Sequence, residues 1–411
     1  MKRTFAAIFI SVLLFTSPLL YAGAFQINTQ SQKATSMGGS LTGWALDASA
    51  NFFNPGAVVF LKDNTFTLGI TALMPRTVYL SPLTGKTTDA NAKTFFPFHY
   101  YGAYKVTEKF SAGLAINSPY GSGIKWNNDW EGRYIVQEAT LKTIFIQPTA
   151  SYKISEKFSV GLGFVYAHAK ATYKKAIAAE TENTPYGEAS FKGKANNIGA
   201  NVGVMVKFSK ELQAGFSFRS KMNMGIKGDA TFTDIPDALA TTFPSSTDFN
   251  TRVRLPSVFS VGIGYQLTQE IKLSFETNVT GWSKFDSLNF EFPSQYTTLN
   301  ASGHSGRKYK DAVAVRLGGQ YEATKKIDVR AGLAYDQSPV KDGYVTPDCP
   351  DASKYVFSCG LTFKPMDKIE IDITYLFETL KERQDVNKET MFGGSYNTIA
   401  NCVGVGVNFK F

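Results

Sequence analysis

From residue 62 onward the chain runs in long stretches of alternating apolar and polar side chains, and this constrains the fold more than any other feature. Ile369-Glu370-Ile371-Asp372-Ile373-Thr374-Tyr375 is one stretch. Phe158, Val160, Leu162, Phe164 and Tyr166 alternate with Ser159, Gly161 and Gly163, and Phe259, Val261, Ile263 and Tyr265 form a third. A period of two puts successive side chains on opposite faces of a strand. Short polar turns recur at 107–109, 155–157, 209–211, 268–270, 324–326 and 366–368. Gly-, Pro-, Asn- and Asp-rich stretches lie between them at 76–94, 119–136, 173–190, 229–251, 286–306, 339–352 and 381–397. Six short turns alternating with seven long loops describe a meander of fourteen antiparallel strands. Strands of about ten residues with short turns at one end and long loops at the other are the pattern of an outer-membrane barrel. Closure is obligatory there, because an open edge in hydrocarbon leaves backbone N–H and C=O groups without partners. A soluble sandwich or propeller calls for strands nearer five or six residues. The expected fold class is therefore all-β: a fourteen-stranded antiparallel transmembrane β-barrel, from 63 to 411.

Composition fits this reading. Mean hydropathy is only −0.14 although aromatics make up 14% of the chain, with 33 Phe and 20 Tyr. Alternating strands average to such a value; membrane helices do not. After the N-terminus no apolar run of about 18 residues exists to form a spanning helix. Residues 1–24 read as a signal peptide: Lys2 and Arg3, an apolar Phe5–Leu20 stretch, and cleavage after Ala22 or Ala24. The expected location is the bacterial outer membrane. A net charge of +9 reads as scattered lysines on turns and loops, or as attraction for anionic lipid headgroups or carboxylates. No basic run is dense enough to track nucleic acid.

Residues 25–62 fit no strand. "DASANFFNPGAVVFL", from Asp47 to Leu61, is small, apolar and rich in turn formers, and Pro55 stops any helix running through it. Helix is expected near Gly43–Ala50, with Asp47 and Asn51 as turn or cap residues. Phe25, Ile27, Met37, Leu41, Trp44, Phe52 and Phe53 argue against disorder. Fourteen strands enclose more volume than their own side chains fill, so this segment is expected to plug the lumen as a small N-terminal hatch.

"GAFQINTQSQKATSMGGSLTGWALDASANFFNPGAVVFLKD" resembles the hatch of the long-chain fatty acid and hydrophobic compound transporters, the FadL/TodX (OmpP1-like) family. Asn54-Pro55-Gly56 matches that family's Asn-Pro-Ala motif, with Gly in place of Ala. Similar segments recur at 116–126, 158–173, 218–232, 309–340 and the terminal strand, so the resemblance covers the mature chain. It implies outer-membrane transport of long-chain fatty acids or aromatic hydrocarbons by passive diffusion, with lateral exit into the bilayer at a kink in the third strand. The third strand is expected at about 109–118, running into Pro119, Tyr120 and Gly121. Proline cannot donate a ladder hydrogen bond and glycine permits a bend. The hatch motif Asn54, Pro55 and Gly56 is expected to sit against this kink and gate it. The terminal Phe411 resembles the signal read by the barrel-assembly machinery.

The expected ligand site is largely apolar, with a cation for a carboxylate headgroup. Phe25, Ile27, Phe52, Phe53, Trp126 and Trp130 are the candidate apolar contacts. Lys310, which matches a family lysine, and Lys170 or Lys174 are the candidate cations. Where fatty-acid members often carry Arg, "VYAHAKATYKK" offers His168, Tyr173 and Lys174. Outer-membrane lipids and a hydrophobic small molecule are the expected partners, the chain is expected to be a monomer, and no cofactor or metal is called for. A general porin would need no plug. A barrel enzyme needs a nucleophile beside a base, and the three histidines, His99, His168 and His304, supply no such pattern. Cys349, Cys359 and Cys402 are expected to form no disulfide: alternation sends Cys359 toward lipid and Cys402 toward the lumen, and Cys349 lies in a loop.

Overall fold

Fourteen antiparallel strands close on themselves in the computed structural model, which describes residues 23–91, 93–181 and 184–411. Nearly all of the expected signal peptide lies outside the described residues. The first six strands are Thr65–Leu80, Phe98–Lys105, Phe110–Asn117 (continued by Gly121–Lys125), Glu138–Ser155, Phe158–Ile177 and Gly187–Lys207. The seventh and eighth are each broken once: Leu212–Arg219 with Met222–Thr233, and Ser246–Leu255 with Val258–Gln266. Ile271–Thr280, Ala312–Thr324, Ile327–Asp336, Lys354–Met366, Ile369–Leu380 and Gly393–Lys410 complete the barrel. Closure is by continuous pairing of the first strand with the last, from Thr65↔Lys410 to Leu80↔Ser395, which pairs the two edges an open sheet would leave free.

Alternation sorts the two faces. On the fifth strand Val165, Ala167 and Ala169 face inward at 0% exposure, while Leu162, Phe164 and Tyr166 face outward at 57, 53 and 39%. Strands run further into the loop side than turn composition indicates. The expected loop at 173–190 shrinks because the fifth and sixth strands stay paired up to Ile177↔Gly187. Backbone pairing continues past the hydrocarbon wherever both chains stay extended, and polar side chains do not prevent it.

The segment ahead of the first strand lies inside the barrel. Its regular pieces are a helix Gln32–Ser36 capped by the Ser31 side chain, a single turn Ala50–Phe53, and a 3₁₀ helix Pro55–Phe60 with Pro at its start. The helix expected near Gly43–Ala50 is absent. Gly43 is instead pressed against the eighth strand, where a Cβ would come within 2.8 Å of the backbone of Gly262 and Ile263. Asp47 does serve a turn, its Oδ1 accepting the Ser49 N–H at 2.9 Å.

Polar groups on the inner face hold this plug. Glu276 accepts the N–H groups of Leu41 and Thr42 at 2.9 and 2.8 Å. Arg316 donates to Gly38 O at 3.0 Å and pairs with Asp336 at 2.9 Å. Lys33 pairs with Glu370 at 2.5 Å, and Arg219 donates to Phe52 O at 2.8 Å. Each side chain meets a backbone group or charge that burial would otherwise leave unsatisfied.

Candidate ligand chamber and third-strand break

Inward positions of the loop-side halves of the fourth to eighth strands are mostly apolar, and together they line a chamber. Leu141, Ala171, Tyr173, Phe191, Ile226 and Phe249 form its wall, loop residues Phe285, Leu288, Phe290 and Tyr309 roof it, and Phe25 of the hatch closes it from below. Its volume is about 90 Å³. Aromatic rings dominate: Phe191 lies 4.8 Å from Phe290 and 5.5 Å from Phe249, centre to centre, and Tyr173 lies 5.5 Å from Phe290.

One charged pair stands in this wall. Arg307 and Asp348, on two different loops, meet fork to fork, Nη1 to Oδ1 at 3.0 Å and Nη2 to Oδ2 at 2.9 Å. Their side chains are only 3% and 10% exposed. Burial opposes the charge on both, but the attraction of the partner outweighs it, raising the Arg307 pKa and lowering that of Asp348. Arg307 Nε is buried with no hydrogen-bond partner among the described residues, a donor available to a guest. Burial pushes the neighbouring Cys349 thiol up to about 12, so it is an inert wall group.

A second cavity, of about 560 Å³, adjoins the chamber. The two share Ser122, Leu141, Asp348 and Cys349 in their linings. The larger one follows the break in the third strand. Pairing with the second strand ends at His99↔Asn117. Pairing with the fourth stops at Asn117↔Phe145 and resumes at Gly121↔Lys142, so the third strand carries one extra residue at Ser118–Tyr120. Beyond it, Gly121–Lys125 pairs with the fourth strand; on its other side, Asn91 N donates to Lys125 O at 2.7 Å. The inner edge of the break is taken up by the start of the hatch. Ile27 N donates to Pro119 O and Gly121 N donates to Phe25 O, both at 2.9 Å. Gln30 reaches Ser118 O at 3.0 Å and accepts from Asn117 at 2.8 Å.

The Asn54-Pro55-Gly56 motif sits elsewhere, which corrects the expectation that it meets the kink. A Cβ at Gly161 on the fifth strand would lie 2.3 Å from the Pro55 carbonyl, and one at Gly203 on the sixth 2.2 Å from Asn54 Oδ1. Asn54 Nδ2 donates to Thr42 O and Val204 O, both at 3.0 Å, and its Oδ1 accepts Gly56 N at 3.0 Å. Only glycines on the barrel wall admit the turn this closely, and the side chain is spent on the hatch and the sixth strand. Pro119 and Tyr120 lie in the break and Gly121 starts the pairing beyond it, with Tyr120 turned inward and 6.3 Å from Phe25.

Of the expected apolar contacts, Phe25 lines the chamber and Ile27 the larger cavity. Phe52 and Phe53 pack within the hatch, Phe52 beneath the Arg219 guanidinium at 3.8 Å. Trp126 and Trp130 stack on each other at 4.5 Å and bury themselves against Tyr79, forming the core of the loop cap rather than a ligand wall or a lipid-facing girdle. The expected cations are corrected too. Lys170 and Lys174 alternate with the inward Ala169, Ala171 and Tyr173, so they lie on the outer wall, where Lys174 pairs with Glu188 at 2.9 Å. Lys310 follows the chamber residue Tyr309 but is not itself among the chamber's lining residues. The cation in the wall is Arg307, which sequence reasoning missed. Its partner is 41 positions away in another loop, and nothing local marks the pair. Tyr173 and Phe191 were missed as wall residues as well, because turn-rich composition placed 173–190 in a loop, whereas strand pairing runs through it. The three cysteines are free, with Cys359 exposed and Cys402 buried.

The sequence matches the family described as outer membrane protein transport protein (OMPP1/FadL/TodX) over residues 13–411. It is 24% identical to a long-chain fatty acid transport protein of Escherichia coli O6:H1, over 99% of this chain and 98% of that one. It is 25% identical to a 47 kDa outer membrane protein of Pasteurella multocida, over 87% of each. Among solved structures, a Pseudomonas aeruginosa FadL homologue superposes with a TM-score of 0.85 at 19% identity, covering 95% of this chain and 100% of that one. The P. putida toluene transporter TodX superposes with a TM-score of 0.73 at 14% identity, covering 93% and 98%. A closed barrel with an internal plug and a match along nearly its whole length place the chain in the OMPP1/FadL/TodX family, transport barrels of the outer membrane and not enzymes.

Proposed function

We propose that this barrel carries hydrophobic small molecules, long-chain fatty acids or aromatic hydrocarbons, across the outer membrane by passive diffusion. The ligand enters through the loop cap and rests in the aromatic chamber. It passes Phe25 into the larger cavity and leaves sideways, at the third-strand break, into the bilayer. The observation that carries this reading is the shared lining of the two cavities, one apolar and the other following the break. A hydrophobic solute gains nothing by crossing a polar lumen, and the hatch is seated inside the barrel by buried polar contacts. Related barrels described as fatty acid and toluene transporters support the ligand class. The chain acts as a monomer in this reading, and Phe411 serves the assembly machinery.

The test places a bulky thiol label at Ser122, which both cavities share, using Ser122→Cys in a Cys349→Ser, Cys359→Ser, Cys402→Ser background. Uptake of a radiolabelled fatty acid and of toluene is measured in cells lacking other carriers. Labelling should reduce uptake of the transported class at least about tenfold and leave barrel assembly unchanged. Uptake at the unlabelled rate would show that the route runs through the hatch to the periplasm.

A further inference from the structure

Lys142, Lys170, Lys194 and Lys227 stand in one row across the fourth, fifth, sixth and seventh strands. They are directly opposed partners: Lys142↔Lys170, Lys170↔Lys194 and Lys194↔Lys227. All four are exposed on the outer wall. None has an ion pair or a side-chain hydrogen bond among the described residues. Like charges directly opposite one another destabilise a sheet, so an isolated barrel gains nothing from this register. With neighbouring strands about 4.8 Å apart, the row is about 14 Å wide, broad enough for a headgroup bearing more than one phosphate.

The height of the row identifies its occupant. One step toward the periplasmic turns the outer wall carries Ile144, His168 and Asn196 in register, with His168 Nδ1 and Asn196 Oδ1 2.7 Å apart. A step further it carries Ile146, Tyr166 and Ile198, exposed at 39, 39 and 61%. Lys170 lies twelve residues along its strand from Phe158, and a tilted strand crosses the hydrocarbon in about 9–11 residues. The lysines therefore begin where the apolar band ends on the loop side, at the headgroup level of the outer leaflet. One step above them the charge reverses: Lys192 faces Asp229, which faces Asp248. The net positive charge of this wall is thus concentrated in one layer.

We propose that this lysine row binds the phosphorylated headgroup of an outer-leaflet lipid, with the acyl chains lying against the apolar wall below. Ammonium groups at a membrane surface attract anionic headgroups strongly, and phosphate oxygens accept their hydrogen bonds. Lys142 pairs with Gly121 at the third-strand break and also lines the larger cavity, so the bound lipid stands beside that opening.

The full-length protein in neutral detergent is given bisphosphorylated lipid A and examined by native mass spectrometry, with amine labelling of its lysines in parallel. A one-to-one complex should survive detergent exchange. The Lys142→Gln, Lys170→Gln, Lys194→Gln, Lys227→Gln variant should hold the lipid at least about tenfold more weakly. Lipid should protect these four lysines, but not Lys157 or Lys326 in the short turns, from labelling. Equal binding by the variant, or the absence of selective protection in the unaltered protein, overturns the proposal. So does displacement of the lipid by equimolar inorganic phosphate or fatty acid, which would assign the row to a free anion or to the transported ligand. The labelling arm decides the matter even where the fourfold variant does not fold.

Discussion

Asn54 is buried with both ends of its amide engaged, in a turn that the barrel admits only opposite glycines. Asn54→Ala removes one acceptor oxygen and two N–H donors, taking a hydrogen bond from each of Gly56 N, Thr42 O and Val204 O. The expected cost is about 1–3 kcal/mol, read as faster hydrogen exchange across residues 40–60 while the strands keep their protection. Gly161→Ala should loosen the same turn from the wall side, because the atoms its methyl meets are Pro55 backbone and cannot swing away. At the chamber, Asp348→Ala leaves the Arg307 guanidinium buried and unpaired, a loss of about 3–5 kcal/mol, seen as a lower melting temperature and freer loops. The pH dependence follows from the depressed carboxylate. The stabilisation by Asp348 is complete above its ordinary value of 3.8. It is lost only as pH falls through the lower folded value, so loop protection should hold from neutrality to about pH 4 and fail below.

At the level of elements, the third strand and the start of the hatch behave as one unit. The strand's extra residue breaks the outer ladder, and Phe25–Ile27 supplies the pairing that the inner edge lacks. Ile27→Pro removes the N–H that Pro119 O accepts. The hatch start should then detach and the two cavities merge. Hydrophobic uptake should become less dependent on ligand shape, and small-ion leakage should rise; unchanged selectivity with unchanged leakage would show that this pairing does not gate the break. The kink itself was legible from Pro119 and Gly121. Its partner was not, because a backbone bridge uses no particular side chain and leaves no mark in composition.

Across the whole molecule, barrel and plug are separable by their bonds. The wall closes through its own ladders, the first strand pairing with the last over its full length, whereas the plug is held by side-chain contacts such as those of Glu276, Arg316 and Lys33 and, at its start, by a short backbone bridge to the third strand. Deleting residues 25–62 should leave a barrel that assembles and keeps its β-sheet circular dichroism. Its single-channel conductance should rise several-fold over that of the intact protein. The sequence by itself determined the strand count, the two-residue alternation that sorts strand side chains between two faces, and the presence of an apolar plug. Those properties follow from a period of two and from turn composition, which are local. Only the tertiary structure decided that Asn54-Pro55-Gly56 meets Gly161 and Gly203, that Trp126 and Trp130 build the loop cap, and that Arg307 finds Asp348. It also decided that four lysines spread over more than eighty residues of chain come into one row. These are contacts through space between segments far apart in the chain. Strand register and barrel closure set their distances, and no short stretch of residues encodes either.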